Sequence, residues 1–234
     1  MKTLLKETVA DLLHLFFPHI CAGCGSDMVA EQQLICISCV DQLPQTRFHF
    51  HASNPVEKIF WGRIALSSAA SYYFFTKDSI LQKLLHELKY KSRNEIGHYL
   101  GKLMGEGFLQ SNRFNCFDAI IPLPLSPTKQ KLRGYNQAEL IANGIGEVMQ
   151  IPVMNKSVIR IKNTETQTFK SRIERWENIQ GTFQVSDPES ITGKHILLID
   201  DVVTTGATLE ACGSAILKHT GTTLSIATVA YTSL

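Results

Sequence analysis

The stretch His195-Ile196-Leu197-Leu198-Ile199-Asp200-Asp201-Val202-Val203-Thr204-Thr205-Gly206-Ala207-Thr208 decides the fold of this chain. Its run His195 to Ile199 reads as a strand buried on both faces, because such a strand is continuously apolar rather than alternating. Two carboxylates follow, then a hydroxyl- and glycine-rich turn, then a helix-compatible segment from Gly206 to His219. In open α/β sheets, ligands gather beyond the carboxyl ends of strands, and Asp200 and Asp201 are expected where this strand ends. Paired carboxylates accept hydrogen bonds from the neighbouring hydroxyls of a ribose, or from waters on a magnesium ion. The first amides and the dipole of the next helix favour a phosphate. Thr204, Thr205 and Thr208 add hydroxyl donors, and Gly206 permits close backbone approach. The stretch therefore reads as a cradle for a sugar diol and a phosphate side by side. The plain structural alternative is a capped strand-to-helix turn with solvated aspartates.

Outward from this stretch, strands and helices alternate. Asp118 to Ile121, Val153-Met154, Val158 to Ile161 and Leu224 to Ala230 read as strands, and Gln137 to Met149 and Arg172 to Asn178 as helices. Such alternation predicts an α/β fold with a mostly parallel sheet flanked by helices on both faces. Further upstream, Arg63 to Phe75 suits strands. A helix starting at Asp78-Ser79 places Ile80, Leu81, Leu84, Leu85 and Leu88 on one face. A second helix after Asn94 carries Gly97, Gly101 and Gly105, a small-residue spacing that predicts close packing on a neighbour. Leu43 to Pro55, polar and punctuated by prolines, reads as a linker.

With 234 residues the chain is long enough for one domain with its own core and a small appendage. The expected division is a helix and cysteine knuckle over residues 1–50 and an α/β domain over 51–234. Lys and Arg number 23 against 21 Asp and Glu, so net charge does not mark a nucleic-acid binder. The basic residues are nevertheless grouped: Lys83, Lys89, Lys91, Arg93 and Lys102; Lys129, Lys131 and Arg133; and Lys156 through Arg175. Converging in space they would suit a polyanion; otherwise they are solvated faces. The amino-terminal segment is apolar but broken by Glu7, Asp11 and Pro18. It predicts an amphipathic helix rather than a membrane span or a cleaved signal, and the cytoplasm as compartment.

Cys21-Ala-Gly-Cys24 and Cys36-Ile-Ser-Cys39 are matched pairs separated by eleven residues. Two residues between thiolates let a tight turn aim both at one metal, and the second pair completes a closed tetrahedral site. Cys21, Cys24, Cys36 and Cys39 therefore predict structural zinc; two disulfides or redox-active pairs are the alternatives. Cys116 and Cys212 are expected to be buried thiols. Other phosphate-binding signatures fail: the Thr204–Thr208 turn lacks the Lys-Ser/Thr ending of a P-loop. Gly144-Ile-Gly146 follows no strand and lacks a third glycine.

Leu197 through Thr208 resembles the phosphoribosyl pyrophosphate (PRPP) signature of type I phosphoribosyltransferases. With the double cysteine knuckle, Pro122-Leu-Pro124, Arg133-Gly-Tyr-Asn-Gln137, Thr166-Gln167 and Arg172 through Asn178, the chain resembles the ComF (ComFC-like) competence family over nearly its full length. The resemblance implies a type I phosphoribosyltransferase-like sheet and a PRPP site. There Asp200 and Asp201 would hold the ribose hydroxyls, and Val202 and Val203 would lead into Thr204, Thr205, Gly206, Ala207 and Thr208 around the 5-phosphate. It implies a pyrophosphate loop at Leu123, Pro124, Leu125 and Ser126, and anion or lid residues at Arg133, Arg160, Arg172 and Arg175. It also implies magnesium with PRPP, and single-stranded DNA and competence DNA-processing proteins as partners.

Two functions follow from this resemblance. One is a competence factor that handles incoming single-stranded DNA. The other is a phosphoribosyltransferase of nucleotide metabolism, in which an acceptor displaces pyrophosphate at the ribose anomeric carbon. No catalytic residue is assigned. Only a strand and four residues follow the last helix, so the acceptor side is expected from the amino-terminal region, including the knuckle and the residues near Trp61, Tyr72 and Tyr73. Met1 is followed by Lys2, not by the catalytic cysteine of a glutaminase, which disfavours glutamine amidotransfer.

Overall fold

Every strand of the central sheet is parallel to its neighbours. In the computed structural model, which describes residues 19–27, 33–161 and 181–232, the sheet comprises β1 (Ser68–Phe74), β2 (Ala119–Pro122), β5 (His195–Val203) and β6 (Thr223–Tyr231), in the order β1-β6-β5-β2. A parallel bridge from Ile120 to Val153 extends the β2 edge. The short strands β3 (Val158–Arg160) and β4 (Phe183–Val185) form a separate antiparallel pair.

The apolar run of β5 feeds two cores by alternation. Leu197 and Ile199 pack into one hydrophobic cluster and Ile196 and Leu198 into another, as the period of two in a strand requires. The first cluster lies under α3 (Ile80–Tyr90), α4 (Asn94–Leu109) and α6 (Gln137–Met149); the second lies under α7 (Ala207–Ile216), α2 (Pro55–Phe60) and the β3–β4 pair. Layers on both faces of a parallel sheet are thus observed as expected. The sequence boundaries of α6 are met, and Ser79 caps α3 by accepting from the Gln82 amide.

The glycines of α4 pack as their spacing predicted. A Cβ on Gly101 would lie 2.1 Å from the Ile141 carbonyl oxygen, and one on Gly144 would lie 2.2 Å from that of His98. The backbones of α4 and α6 therefore meet without intervening side chains.

Three expectations are corrected. β5 continues through Val203, so Asp200 and Asp201 stand inside the strand rather than after it. Ladder bonds to β6 carry it on, with Asp200 opposite Thr228 and Val203 opposite Tyr231. Leu43 to Pro55 is no linker: Leu43 and His49 are buried, Gln45 bridges to Tyr73, and Phe48–Phe50 forms a 3-10 turn against β1. Cys116 is exposed, whereas Cys212 is buried as expected. The short helices α1 (Ile37–Asp41), α2 and α5 (Pro127–Arg133) carry too few periodic residues to signal themselves. The segments predicted as an amino-terminal helix and as a helix over Arg172–Asn178 lie outside the described residues. Among the described residues no helix is long and apolar enough to cross a membrane.

Candidate functional site

The carboxyl end of β5 brings three chain segments to one place. Asp200 and Asp201, both half-buried, lie adjacent on the strand, and the Asp201 amide donates to Asp200 Oδ1 at 2.8 Å. Burial pushes the Asp200 carboxyl up to about 8, reinforced by the neighbouring Asp201 charge. The Asp201 amide and the charges of Lys89 and Lys129 oppose that rise. Two carboxylates so placed do not both ionise without a counter-charge. Lys89 supplies one, its ammonium lying 2.6 Å from Asp201 Oδ2.

The turn after β2 adjoins this pair. The Leu123 amide donates to the Ile199 carbonyl at 2.8 Å, immediately before Asp200. Pro124, Leu125 and Ser126 continue the turn partly exposed, and Ser126 caps α5 by accepting from the Lys129 amide. Asn136 secures the far side: its side-chain amide donates to the Leu123 carbonyl at 3.1 Å, while its Oδ1 caps α6. Gly134 closes α5 in the left-handed region at φ 78°. Arg133-Gly-Tyr-Asn-Gln137 thus works as a clasp behind the turn.

The phosphate cradle lies on the other side. Thr204, Thr205 and Thr208 are exposed, and Gly206, the residue that opens α7, has no side chain to cap its amides. Gly206 is required there twice over: its φ is 71°, and a Cβ would lie 2.8 Å from Ile59 Cγ2 and from Phe60 Cε1. Arg63 steadies the turn by donating to the Thr205 carbonyl at 2.8 Å and by pairing with Glu210. Nothing in the sequence links Arg63 to a turn 142 residues away.

The arginines expected to meet anions are differently engaged. Arg133 donates to Gln137 Oε1 at 2.7 Å and its guanidinium lies over the Tyr90 ring; Arg160 lies over Phe183. Arg172, Arg175, Thr166 and Gln167 lie outside the described residues. Members of the first basic group are engaged separately. Lys83 donates to the Gly23 carbonyl, Lys91 and Arg93 pair with Glu87, and Lys102 pairs with Glu147. Tyr72 and Tyr73 are buried in the core, which corrects their placement on an acceptor surface; Trp61 is exposed.

A second site lies at the amino-terminal knuckle. The sulfurs of Cys21, Cys24, Cys36 and Cys39 all lie within 4.8 Å of one another, and Cys24 and Cys36 Sγ are 3.8 Å apart. Four thiolates about 2.3 Å from a tetrahedral zinc stand roughly 3.8 Å from each other, so the donor set and its spacing fit such a metal. Burial pushes the Cys21 thiol up, but amide hydrogen bonds from Cys36, Cys24 and Gly23 outweigh it and bring it down to about 6. The cluster is held against the main core. A Cβ on Gly23 would lie 2.8 Å from Cys39 Sγ and 3.1 Å from Ile80 Cγ2. The four cysteines can hold a metal such as zinc.

Residues 137–233 match the phosphoribosyl transferase domain family, which spans α6, the β5–α7 turn and β6. Over 211 residues the chain is 28% identical to DNA utilization protein YhgH of Shigella flexneri, covering 88% of each. It is likewise 28% identical to competence protein F of Haemophilus influenzae, over 86% of this chain and 80% of that one. Residues 137–233 thus carry a phosphoribosyl transferase domain, and most of the chain is similar to proteins named for DNA utilization and competence. The structure pairs a phosphoribosyltransferase-like parallel sheet with a four-cysteine cluster. Competence protein ComFC of Bacillus subtilis aligns with this chain at 29% identity, over 62% of it and 56% of the relative. Among solved structures, glutamine PRPP amidotransferase of B. subtilis superposes with a TM-score of 0.43 and 16% identity, over 62% of this chain and 30% of that one.

Proposed function

We propose that the chain is a competence protein with a PRPP-binding site, acting in the handling of incoming single-stranded DNA. The observation that carries the ligand is the position of Asp200 and Asp201 between the Leu123–Ser126 turn and the uncapped Thr204–Thr208 turn. In this reading the carboxylates receive the ribose hydroxyls, the amides of the first turn face the pyrophosphate and those of the second face the 5-phosphate. Magnesium, when bound with the ligand, offsets the charge of the pyrophosphate. The competence role is supported by relatives named for competence and DNA utilization that match most of the chain. The four-cysteine segment is then a zinc-stabilised module packed on the phosphoribosyl-binding domain, in the cytoplasm with competence DNA-processing proteins as partners.

Calorimetric titration of Mg–PRPP into the wild type and an Asp200→Asn, Asp201→Asn double variant tests the ligand. Binding to the first and not the second is expected; equal binding sinks the assignment. Single-stranded DNA binding that weakens steeply with salt tests the nucleic-acid role, and salt-insensitive or absent binding counts against it.

The second reading is catalytic. The complete pairing of diol carboxylates with a phosphate turn favours transfer, in which an acceptor forms a bond to the ribose anomeric carbon as the pyrophosphate oxygen departs. Pyrophosphate release that requires both an acceptor and the two aspartates separates this reading from binding alone.

A further inference from the structure

Lys89 stands in the last turn of α3, and its ammonium contacts Asp201 Oδ2 at 2.6 Å, with side-chain exposures of only 21% and 14%. Both its chain neighbours are engaged: the Tyr135 hydroxyl donates to the Leu88 carbonyl, and Arg133 lies over the Tyr90 ring. The clasp that secures the turn at Leu123 therefore also fixes the helix end that carries Lys89. The neighbouring cations Lys83, Lys91, Arg93 and Lys102 are committed to Gly23, Glu87, Glu95 and Glu147. Among the described residues, Lys89 is the one cation in ion-pair contact with the aspartate pair.

A phosphoribosyl ligand with several phosphate charges must settle beside two carboxylates, and like charges at such separations oppose binding. A lysine held on one of them cancels one negative charge of the pair and engages a single oxygen of Asp201. We propose that Lys89 is a positioning residue of the phosphoribosyl site, holding Asp201 in the orientation that receives the ribose diol and supplying the charge that admits a polyanionic ligand. The inference rests on the phosphoribosyl reading above and extends it to a residue outside the signature stretch.

The test is the Kd of PRPP with magnesium, measured by calorimetry on the full chain, with circular dichroism and a melting curve for each variant. Lys89→Met and Lys89→Gln weaken binding by about tenfold or more, and Lys89→Arg, which retains the charge and a carboxylate contact, recovers most of the loss. Lys91→Met removes the same charge two residues away without touching Asp201, and changes Kd by no more than about twofold. In an Asp201→Asn background, Lys89→Met adds less than about threefold, because the two substitutions break one interaction. Wild-type affinity in folded Lys89→Met or Lys89→Gln, a Lys91→Met loss as large as theirs, or full additivity with Asp201→Asn overturns the role of Lys89. A wild type that does not bind Mg–PRPP at all overturns the phosphoribosyl reading and the Lys89 role together, and is told apart by the flat wild-type titration.

Discussion

The Tyr135 hydroxyl donates to the main-chain carbonyl of Leu88, joining the loop before α6 to the last turn of α3. The carbonyl it satisfies belongs to a helix end, where four carbonyls lack intrahelical partners. Tyr135 is thereby a structural tie rather than a ligand-facing ring. Tyr135→Phe keeps the ring packing and removes the donor, and is expected to cost about 1 kcal/mol in urea unfolding. Weakened Mg–PRPP binding should accompany it, because the tied turn carries Lys89. A variant with wild-type stability and affinity refutes the tie.

Gly206 gives a sharper test of the phosphate turn. Alanine there must adopt φ 71° and place its Cβ against Ile59 and Phe60. The left-handed conformation alone costs about 1–2 kcal/mol, and the contact adds to it. Gly206→Ala should lower the unfolding free energy measured in urea by at least that amount and reduce PRPP affinity more than Gly193→Ala. Gly193 has a similar φ of 71° but open space around its Cβ. Equal losses in the two variants would assign the effect to backbone strain alone.

The sheet and its ligand end were readable because their signals are local. A continuous apolar run bounded by Asp200-Asp201 and Gly206 marks β5 and its turn within fourteen residues. The cysteine knuckle is likewise compact. Lys89 and Arg63 were not readable as site residues, since their partners Asp201 and Glu210 lie more than a hundred residues away. Lys89 also stood in a run of lysines and arginines that no local rule can divide into structural and site members. The end of β5 was misplaced for a related reason. Aspartates disfavour strands by propensity, but pairing of Asp200 with Thr228 and Val202 with Ala230 in β6 overrides it.

The four cysteines predict a chelator-sensitive fold. Purified chain should carry about one zinc per molecule, and Cys39→Ser, which removes a buried ligand beside α3, should lose it. The melting temperature should then fall by on the order of 10 °C, as expected for loss of several kcal/mol in a chain of this size. Cys116→Ser, at an exposed thiol away from the cluster, should leave metal content unchanged. Retention of zinc by Cys39→Ser would remove that residue from the ligand set.

His49 sets an acid limit on stability. It is buried, stacked on Tyr72 at 5.1 Å, and its Nδ1 has no hydrogen-bond partner among the described residues. Burial lowers its pKa to about 4, with the charges of His51 and Arg47 acting in the same direction. Between pH 6.5 and about 4 the unfolded chain binds a proton that the folded chain refuses, so stability rises with pH across that window and is lost as pH falls. His49→Phe should flatten the dependence of melting temperature on pH in this interval. An unchanged slope would place the acid sensitivity elsewhere.

Asp200 works in the opposite sense. Its carboxyl is raised to about 8 by burial and by Asp201, against the Asp201 amide, Lys89 and Lys129. The folded chain therefore keeps a proton that the unfolded chain has released from about pH 4 upward. The stability linked to Asp200 is full below about pH 4 and is lost as pH rises through about 8. An asparagine side chain at this position carries no charge to desolvate, so Asp200→Asn should raise stability by about 1–3 kcal/mol at about pH 8 and change it little at about pH 4. The same substitution should weaken PRPP binding, because an amide nitrogen replaces one of the two oxygens that can accept from the ribose hydroxyl. A site that stabilises the fold when disabled is one held under electrostatic strain for its ligand. Melting curves and titrations of the one variant at both pH values measure the two effects together, and a variant destabilised at the higher pH would show that Asp200 serves the fold instead.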